Sequence, residues 1–417
     1  MSIFNINLHE TIYSLSDALD LVGVTQVNHG KRVAYMAAEC GKAMHWPSNQ
    51  VDDLFKAAIL HDCGVSNTAV HAKLAQFQWE QEQGHCEVGA NILKSAPLLS
   101  DLSDTVLHHH THWSDLKHLD LPEQVKLNAN CIYLVDRVDV LALGYRLKEP
   151  DILVNVDQIR ALISEKINDW FHPEIVDIFM EVSLSEAFWF SLEREHISGY
   201  VSTWVDHDHT REIDFQDLKS IVRIFSYVVD AKSSFTCEHS EGVACLARYL
   251  GELSELSDKT CDSIEMAGLL HDIGKLRVPD EILEKPGKLT ETEFKTIKRH
   301  SFDTYNILKN IKGFEQIAQW ASDHHERVDG GGYPYHKVES RLSLEARIIA
   351  VADVFQSLAQ KRPYREALSP IEILDILIQQ ADTGHLDKAI VNIVEQNLTQ
   401  CWKEALLMHK TEDLVCV

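Results

Sequence analysis

No run in the 417 residues approaches the roughly 18 consecutive apolar residues of a membrane-spanning helix. The N-terminus, MSIFNINLHE, also lacks the basic stretch followed by an apolar one that marks a secretory leader. A cytoplasmic protein with no membrane attachment is therefore expected. Positive charge is scarce too: 39 Lys+Arg against 64 Asp+Glu leave a net charge of −25, which repels polyanions such as DNA and anionic membrane surfaces. Any phosphate-bearing ligand must be held by a local device. The nine cysteines are scattered without a Cys-x-x-Cys pair, in a chain long enough to fold without covalent staples, so reduced thiols are expected. With only 18 Gly and 10 Pro, and 45% hydrophobic and 25% charged residues, the collagen-like, low-complexity and disordered classes are excluded. The length calls for two or three domains.

What is present is helical periodicity and a repeat. Leu218, Ile221, Val222, Phe225 and Val229 fall on one helix face, and Val243, Leu246, Ala247 and Leu250 do the same. Ser369-Pro370 is a helix start, a capping residue followed by proline at the first helical position. No series of alternating strands competes, so the expected fold class is all-α. Across the halves, AAILHDCG ending at Gly64 matches AGLLHDIG ending at Gly274, and NANCIYLVDRVDVLA matches EARIIAVADVFQSLA. The offset drifts slowly, from 210 (His29 to His239) through 215 (His85 to His300) to 217 (Asp136 to Asp353). Ordered matches with slow drift mean two tandem copies differing in loop length, at a period far too long for a solenoid. The polar stretch VDHDHTREIDFQD places the boundary at residue 208, giving domains 1–207 and 208–417.

The 23 histidines invite a search for metal ligands. The second copy carries His239, His271-Asp272, His300, His324-His325 and Asp353. Imidazoles and carboxylates without thiolates suit iron or manganese as well as zinc, and so many ligands exceed one tetrahedral ion. Two ions would fit, the arrangement that clamps the attacking and leaving oxygens of a phosphoryl displacement. A single His-Asp dipeptide carries little information. The ordered set, ending in HHERVDGGGYP, resembles the HD-GYP family, a branch of the HD-domain phosphohydrolases that hydrolyses cyclic dinucleotides, over residues 213–398.

That resemblance implies two tandem HD-type helical domains and two divalent ions, with iron or manganese favoured. One ion would be held by His239, His271, Asp272 and Asp353, the other by Asp272, His300, His324 and His325, with Asp272 bridging. Lys275 matches the lysine beside the scissile phosphate, and Arg362 and Arg365 match residues that contact substrate phosphates, a task suited to guanidinium forks. An acidic residue that adds a third metal in some members is replaced by Phe235, so a dinuclear centre is expected. The loop at Gly332-Tyr333-Pro334 is read either as a structural turn or as a docking site for a cyclase-domain partner.

The first copy keeps His29, His61, Asp62, His85, one or more of His108, His109 and His110 (His109 being the chosen counterpart), and Asp136 as a second metal set. Val65 stands where Lys275 does, and HHHTHWSDLKHLDLP has no GYP loop. Three roles compete for it: scaffold or dimerisation domain, phosphohydrolase of different specificity such as a nucleotidase acting on the linear product, or ligand sensor. The pairing of a degenerate with a complete domain resembles the 3',3'-cyclic GMP-AMP phosphodiesterases of Vibrio. The expected activity is therefore hydrolysis of 3',3'-cyclic GMP-AMP to the linear pApG, with cyclic di-GMP as the alternative substrate. The rival classes are a non-catalytic cyclic-dinucleotide receptor and a hydrolase of ordinary nucleotides. A homodimer is the association carried forward.

Overall fold

The computed structural model describes residues 2–21, 28–65, 84–146, 151–206, 210–232, 238–361 and 366–408. The all-α expectation holds among them: one two-stranded antiparallel sheet interrupts an otherwise helical chain. Two compact units form, residues 19–209 and residues 1–18 together with 210–417.

The expected boundary at residue 208 lies outside the described residues, and the assignment of residues 1–18 to the first domain is corrected. Strand β1 (Ile3–Ile6) pairs antiparallel with β2 (Arg211–Asp214), Ile3 opposite Asp214. Alternation explains the choice: Phe4 and Ile6 point inward while Ile3 and Asn5 face out. The Phe4 ring lies 6.3 Å from that of Phe215. Helix α1 (Leu8–Leu19) follows, burying Ile12 and Leu15, and Glu10 accepts a hydrogen bond from the Lys312 amide at 3.0 Å.

In the unit of residues 19–209 the site is framed by α2 (His29–Ala43), α3 (Ser48–Leu60), α4 (Gly84–Lys94) and α5 (Glu123–Arg146). In the other unit the frame is α6 (Phe215–Ala231), α7 (His239–Leu253), α8 (Asp258–Leu270), α9 (Glu291–Leu308), α10 (Glu315–Ser322) and α11 (Leu344–Ala359). The repeat is structural. Helix α2 packs on α3 and α5 as α7 packs on α8 and α11, and each of α2 and α7 starts directly after a left-handed residue, Asn28 and Glu238, both with φ 71°.

Local signals explain the helices. Asp214 caps α6 by accepting from the amides of Gln216 and Asp217 at 2.8 and 3.0 Å. Leu218, Ile221, Val222, Phe225 and Val229 are its buried stripe, as their spacing predicts. Each such fully buried side chain contributes roughly 1.5–3 kcal/mol. Ser369 opens helix Pro370–Asp382 with a complete capping box to Glu372.

Candidate metal centre

The seven residues singled out in the second copy arrive from five places. His239 is the first residue of α7, His271 caps the C-terminal end of α8, and Asp272 leads into a short 3-10 segment. His300 sits within α9, His324 and His325 follow α10, and Asp353 lies within α11. The close approach that unites them is made by Gly274: a Cβ there would lie 2.1 Å from the carbonyl oxygen of His300, so only glycine lets α9 come this near.

Asp272 stands between two halves. Its Oδ2 lies 3.2 Å from His271 Nε2 and 3.7 Å from His239 Nε2. Its Oδ1 lies 3.4 Å from His300 Nε2 and 3.7 Å from His324 Nε2. Asp353 Oδ1 closes the first half at 3.4 Å from His239 Nε2, and His325 belongs to the second half with His300 and His324. One oxygen facing each half is what a bridging carboxylate requires.

The ring orientation is set from behind. His271, His300 and His324 each donate Nδ1–H to the carbonyl three residues earlier, Gly268, Ile297 and Ala321, at 2.6 to 2.7 Å. His239 Nδ1 faces Gln356 Oε1 at 2.5 Å. These partners leave Nε2 as the lone-pair atom directed into the site. His271 Nε2 and Asp272 Oδ1 are buried without a hydrogen-bond partner, an arrangement expensive in a dry interior and relieved by a cation. The donor set therefore fits divalent metal ions.

Burial opposes charge on His271, His300, His324 and His325. It pushes His300 down to about 3 and His325 to about 4, and lowers His324 well below the usual range. At His271 the neighbouring Asp272 overcomes burial and raises the group to about 9. Burial would raise Asp272, yet His271 and Lys275 hold it well below the carboxylate range. Lys275 Nζ meets Asp272 Oδ2 at 2.5 Å and stays partly open to solvent.

The first copy reproduces this geometry. Asp62 Oδ2 faces His61 Nε2 at 3.4 Å and His29 Nε2 at 3.7 Å, and Oδ1 faces His85 and His109 at 3.7 and 3.9 Å. Asp136 Oδ1 lies 3.3 Å from His29 Nε2. The histidine run is resolved: His109 and His110 join the cluster with Asp62 and His85, while His108 turns to Thr111 at 3.2 Å. His61 and His109 are backed by Ala58 and Val106 carbonyls at 2.7 and 2.6 Å. Gly64 makes the same approach as Gly274, its Cβ position 2.0 Å from the His85 carbonyl.

Three differences were not anticipated from sequence. Where His239 has the neutral Gln356, His29 has Asp139 at 2.8 Å, itself held by Arg32 at 2.6 and 2.8 Å. Burial would discharge His29, but Asp136 and Asp139 raise it to about 10. Arg137, buried, binds Asp136 Oδ2 at 2.7 Å. Cys86 lies against His85 and His109. The common spacing of Asp136–Asp139 and Asp353–Gln356, three residues along a helix, was the available signal for the partners of His29 and His239.

The GYP loop is clamped beneath the second copy's histidines. Glu326, buried, accepts from the amides of Tyr335 and Lys337 at 2.6 and 2.9 Å, and Tyr333 N–H donates to the His325 carbonyl at 3.1 Å. Gly332 is required, since a Cβ would meet Glu326 Cα at 2.4 Å. The Tyr333 ring lies tilted 4.8 Å from His325 and edge-to-face 6.1 Å from the exposed Phe294, with Lys298 Nζ above the Tyr333 and Phe294 rings. Arg362, Arg365 and Phe235 lie outside the described residues.

HD-domain family profiles match residues 27–141 and 223–390, the segments holding the two sets. The sequence is 35% identical to the 3'3'-cGAMP-specific phosphodiesterase 1 of Vibrio cholerae over 98% of this chain and 96% of the other. It is 30% identical to the cyclic di-GMP phosphodiesterase PA4108 of Pseudomonas aeruginosa over 67% of this chain and 62% of the other. A crystal structure of a cyclic GMP-AMP specific phosphodiesterase of V. cholerae (V-cGAP3) shares the fold, with TM-score 0.62 at 24% identity over 96% of this chain and 98% of that one. No described helix is long and apolar enough to cross a membrane.

Proposed function

The chain belongs to the HD-GYP branch of the HD-domain phosphohydrolases, the cyclic-dinucleotide phosphodiesterases, and from that premise we propose that it hydrolyses 3',3'-cyclic GMP-AMP to linear pApG in the cytoplasm. The observation that carries a hydrolytic reading over a receptor is the pairing of the bridging Asp272 with Lys275 at 2.5 Å inside a full set of His and Asp donors. The choice of cyclic GMP-AMP over cyclic di-GMP leans on the near full-length similarity to a cGAMP-specific relative.

His239, His271, Asp272 and Asp353 would hold one divalent ion, and Asp272, His300, His324 and His325 the other, iron or manganese by donor chemistry. Such ions supply Lewis-acid activation of water and neutralise phosphate charge. The chain does the rest. His300, His324 and His325, kept neutral by burial, present lone pairs without first losing a proton. Lys275 faces the phosphate, stabilising charge on its oxygens as the phosphorus gains the water oxygen and the bond to a ribose 3'-oxygen breaks. That oxygen leaves as a hydroxyl, taking up one proton for the one that the attacking water gives up to solvent. Arg362 and Arg365 are assigned to the second phosphate, and Tyr333 and Phe294 offer stacking faces for a purine.

The duplicated donor set supports a metal-bearing first unit as well. Without a counterpart of Lys275 or a GYP loop it is suited to a different phosphate, the terminal one of the linear product. A homodimer and a cyclase-domain partner docking at Gly332-Tyr333-Pro334 remain the proposed associations.

Product analysis by chromatography and mass spectrometry on manganese- or iron-loaded full-length protein tests these assignments, with Asp272→Asn and Asp62→Asn in parallel. The full chain is needed because residues 1–18 complete the second unit. Loss of pApG formation in Asp272→Asn alone supports the reading. Failure to consume either cyclic dinucleotide with any metal overturns it.

A further inference from the structure

We infer that the metal centre of the unit 19–209 takes a sulfur ligand, Cys86, and thereby selects a thiophilic ion, whereas the second centre offers only nitrogen and oxygen. The inference rests on the metal-bearing reading of the first unit given above.

Cys86 follows His85 on α4 and is 1% exposed. Its Sγ lies 3.5 Å from His85 Nε2 and 4.0 Å from His109 Nε2. The same two nitrogens lie 3.7 and 3.9 Å from Asp62 Oδ1. Around a tetrahedral ion, nitrogen and oxygen donors about 2.0–2.2 Å out and sulfur about 2.3 Å out stand about 3.3–3.6 Å from one another. The four observed edges, slightly longer than these, set the sulfur and Asp62 Oδ1 against the same pair of imidazole nitrogens, and His110 clusters with Asp62, His85 and His109.

The cysteine is not an isolated thiol. Asp62 Oδ1 and His61 Nε2 are buried without hydrogen-bond partners, and His61 is 1% exposed. Asp62 Oδ1, which faces the same His85 and His109 nitrogens as the sulfur, therefore has unmet capacity. In the second copy the matching position is Ser301, whose Oγ lies 3.3 Å from His300 Nε2. An alcohol keeps its proton and ligates weakly, whereas a thiol beside a bound cation gives up its proton to solvent and donates an electron pair. Nothing is oxidised or reduced in that exchange. Cys63, next to Asp62 in sequence, aims its sulfur at the Gly89 carbonyl, 3.8 Å away, and serves as a control. Sulfur in the donor set favours zinc and its cobalt or cadmium substitutes, while imidazole and carboxylate alone accommodate iron or manganese.

The test loads metal-free full-length protein with Co²⁺ and records its near-ultraviolet spectrum and cobalt content. Wild type and Cys63→Ser are expected to show a thiolate-to-cobalt charge-transfer band, and Cys86→Ser to lose it. Serine reproduces the residue of the other copy, and circular dichroism checks the fold; Cys86→Ala is read the same way should serine not fold. Occupancy of the first centre is counted as the cobalt lost per chain in His109→Ala. If that cobalt is present in wild type without a charge-transfer band, or with a band that survives Cys86→Ser, the sulfur ligand is overturned while the metal-bearing reading stands. Equal cobalt in wild type and His109→Ala overturns both.

Discussion

Gly274→Ala is expected to disable the second centre through a single methyl group. The added Cβ would sit 2.1 Å from the His300 carbonyl oxygen and 2.9 Å from the Thr304 amide nitrogen. Both belong to the backbone of α9, so no side-chain rotation relieves the clash. The turn is also laced to α9: Gly274 N–H donates to Thr304 Oγ1 at 3.1 Å, and Thr304 Oγ1 donates to the His271 carbonyl at 3.0 Å. Restoring ordinary contact demands a retreat of α9 by more than about 1 Å, and displacement on that scale costs about 10²-fold in rate. His300 moves with its helix, away from Asp272 Oδ1, while His271 stays behind. Overpacking of this kind also costs about 1–3 kcal/mol of stability. Metal content by elemental analysis and pApG formation by chromatography would be measured on the full chain. Gly64→Ala provides the internal comparison, because its Cβ would strike the His85 carbonyl at 2.0 Å in the other unit, and it is expected to spare hydrolysis of the cyclic dinucleotide. A Gly274→Ala protein with wild-type metal content and turnover would refute the argument that this backbone approach positions His300.

Lys275→Met is expected to lower kcat by about 10²–10³-fold, the scale of losing one preorganised donor, while metal content is retained; loss of metal in step with activity would instead assign Lys275 to holding Asp272. Glu326→Gln puts an amide N–H against one of the two backbone amides that Glu326 now receives, at a cost of about 1–3 kcal/mol. Faster limited proteolysis between Arg327 and Lys337 is the readout, and unchanged protection refutes the clamp. Asp230 supplies a pH dependence: burial, opposed by His239 and Ser240, raises its carboxyl from 3.8 to about 6. A group raised in the fold favours folding while protonated, so its contribution is fully present below about pH 4 and is lost as the pH climbs through 6. At 1.36 kcal/mol per unit the swing is on the order of 3 kcal/mol. Asp230→Asn cannot titrate, so its urea midpoint should gain on that of wild type between pH 4 and pH 7; parallel profiles would refute the assignment.

Much of this was legible in one dimension. The helical stripe of α6, the cap at Ser369 and the order of ligands in both copies follow from residue spacing, because a helix buries one face and repeats every 3.6 residues. The contrast between Lys275 and Val65 was visible for the same reason, since each sits at a set distance from its His-Asp pair. Spacing did not reveal that His108 turns away while His109 and His110 turn in, as a run of identical residues carries no information about which side chain faces the cluster.

Pattern along the chain thus established two helical copies, their shared order of His and Asp residues, and the contrast of Lys275 in one with Val65 in the other. Only the tertiary structure decided that β1 pairs with a strand some two hundred positions away (Ile3 opposite Asp214, 211 positions on), that Asp139 and Gln356 back equivalent histidines with different charge, and that a thiol and a hydroxyl occupy matching places beside His85 and His300. Those outcomes depend on atoms brought together from distant segments, and local periodicity specifies which face of an element is buried without specifying what it meets there.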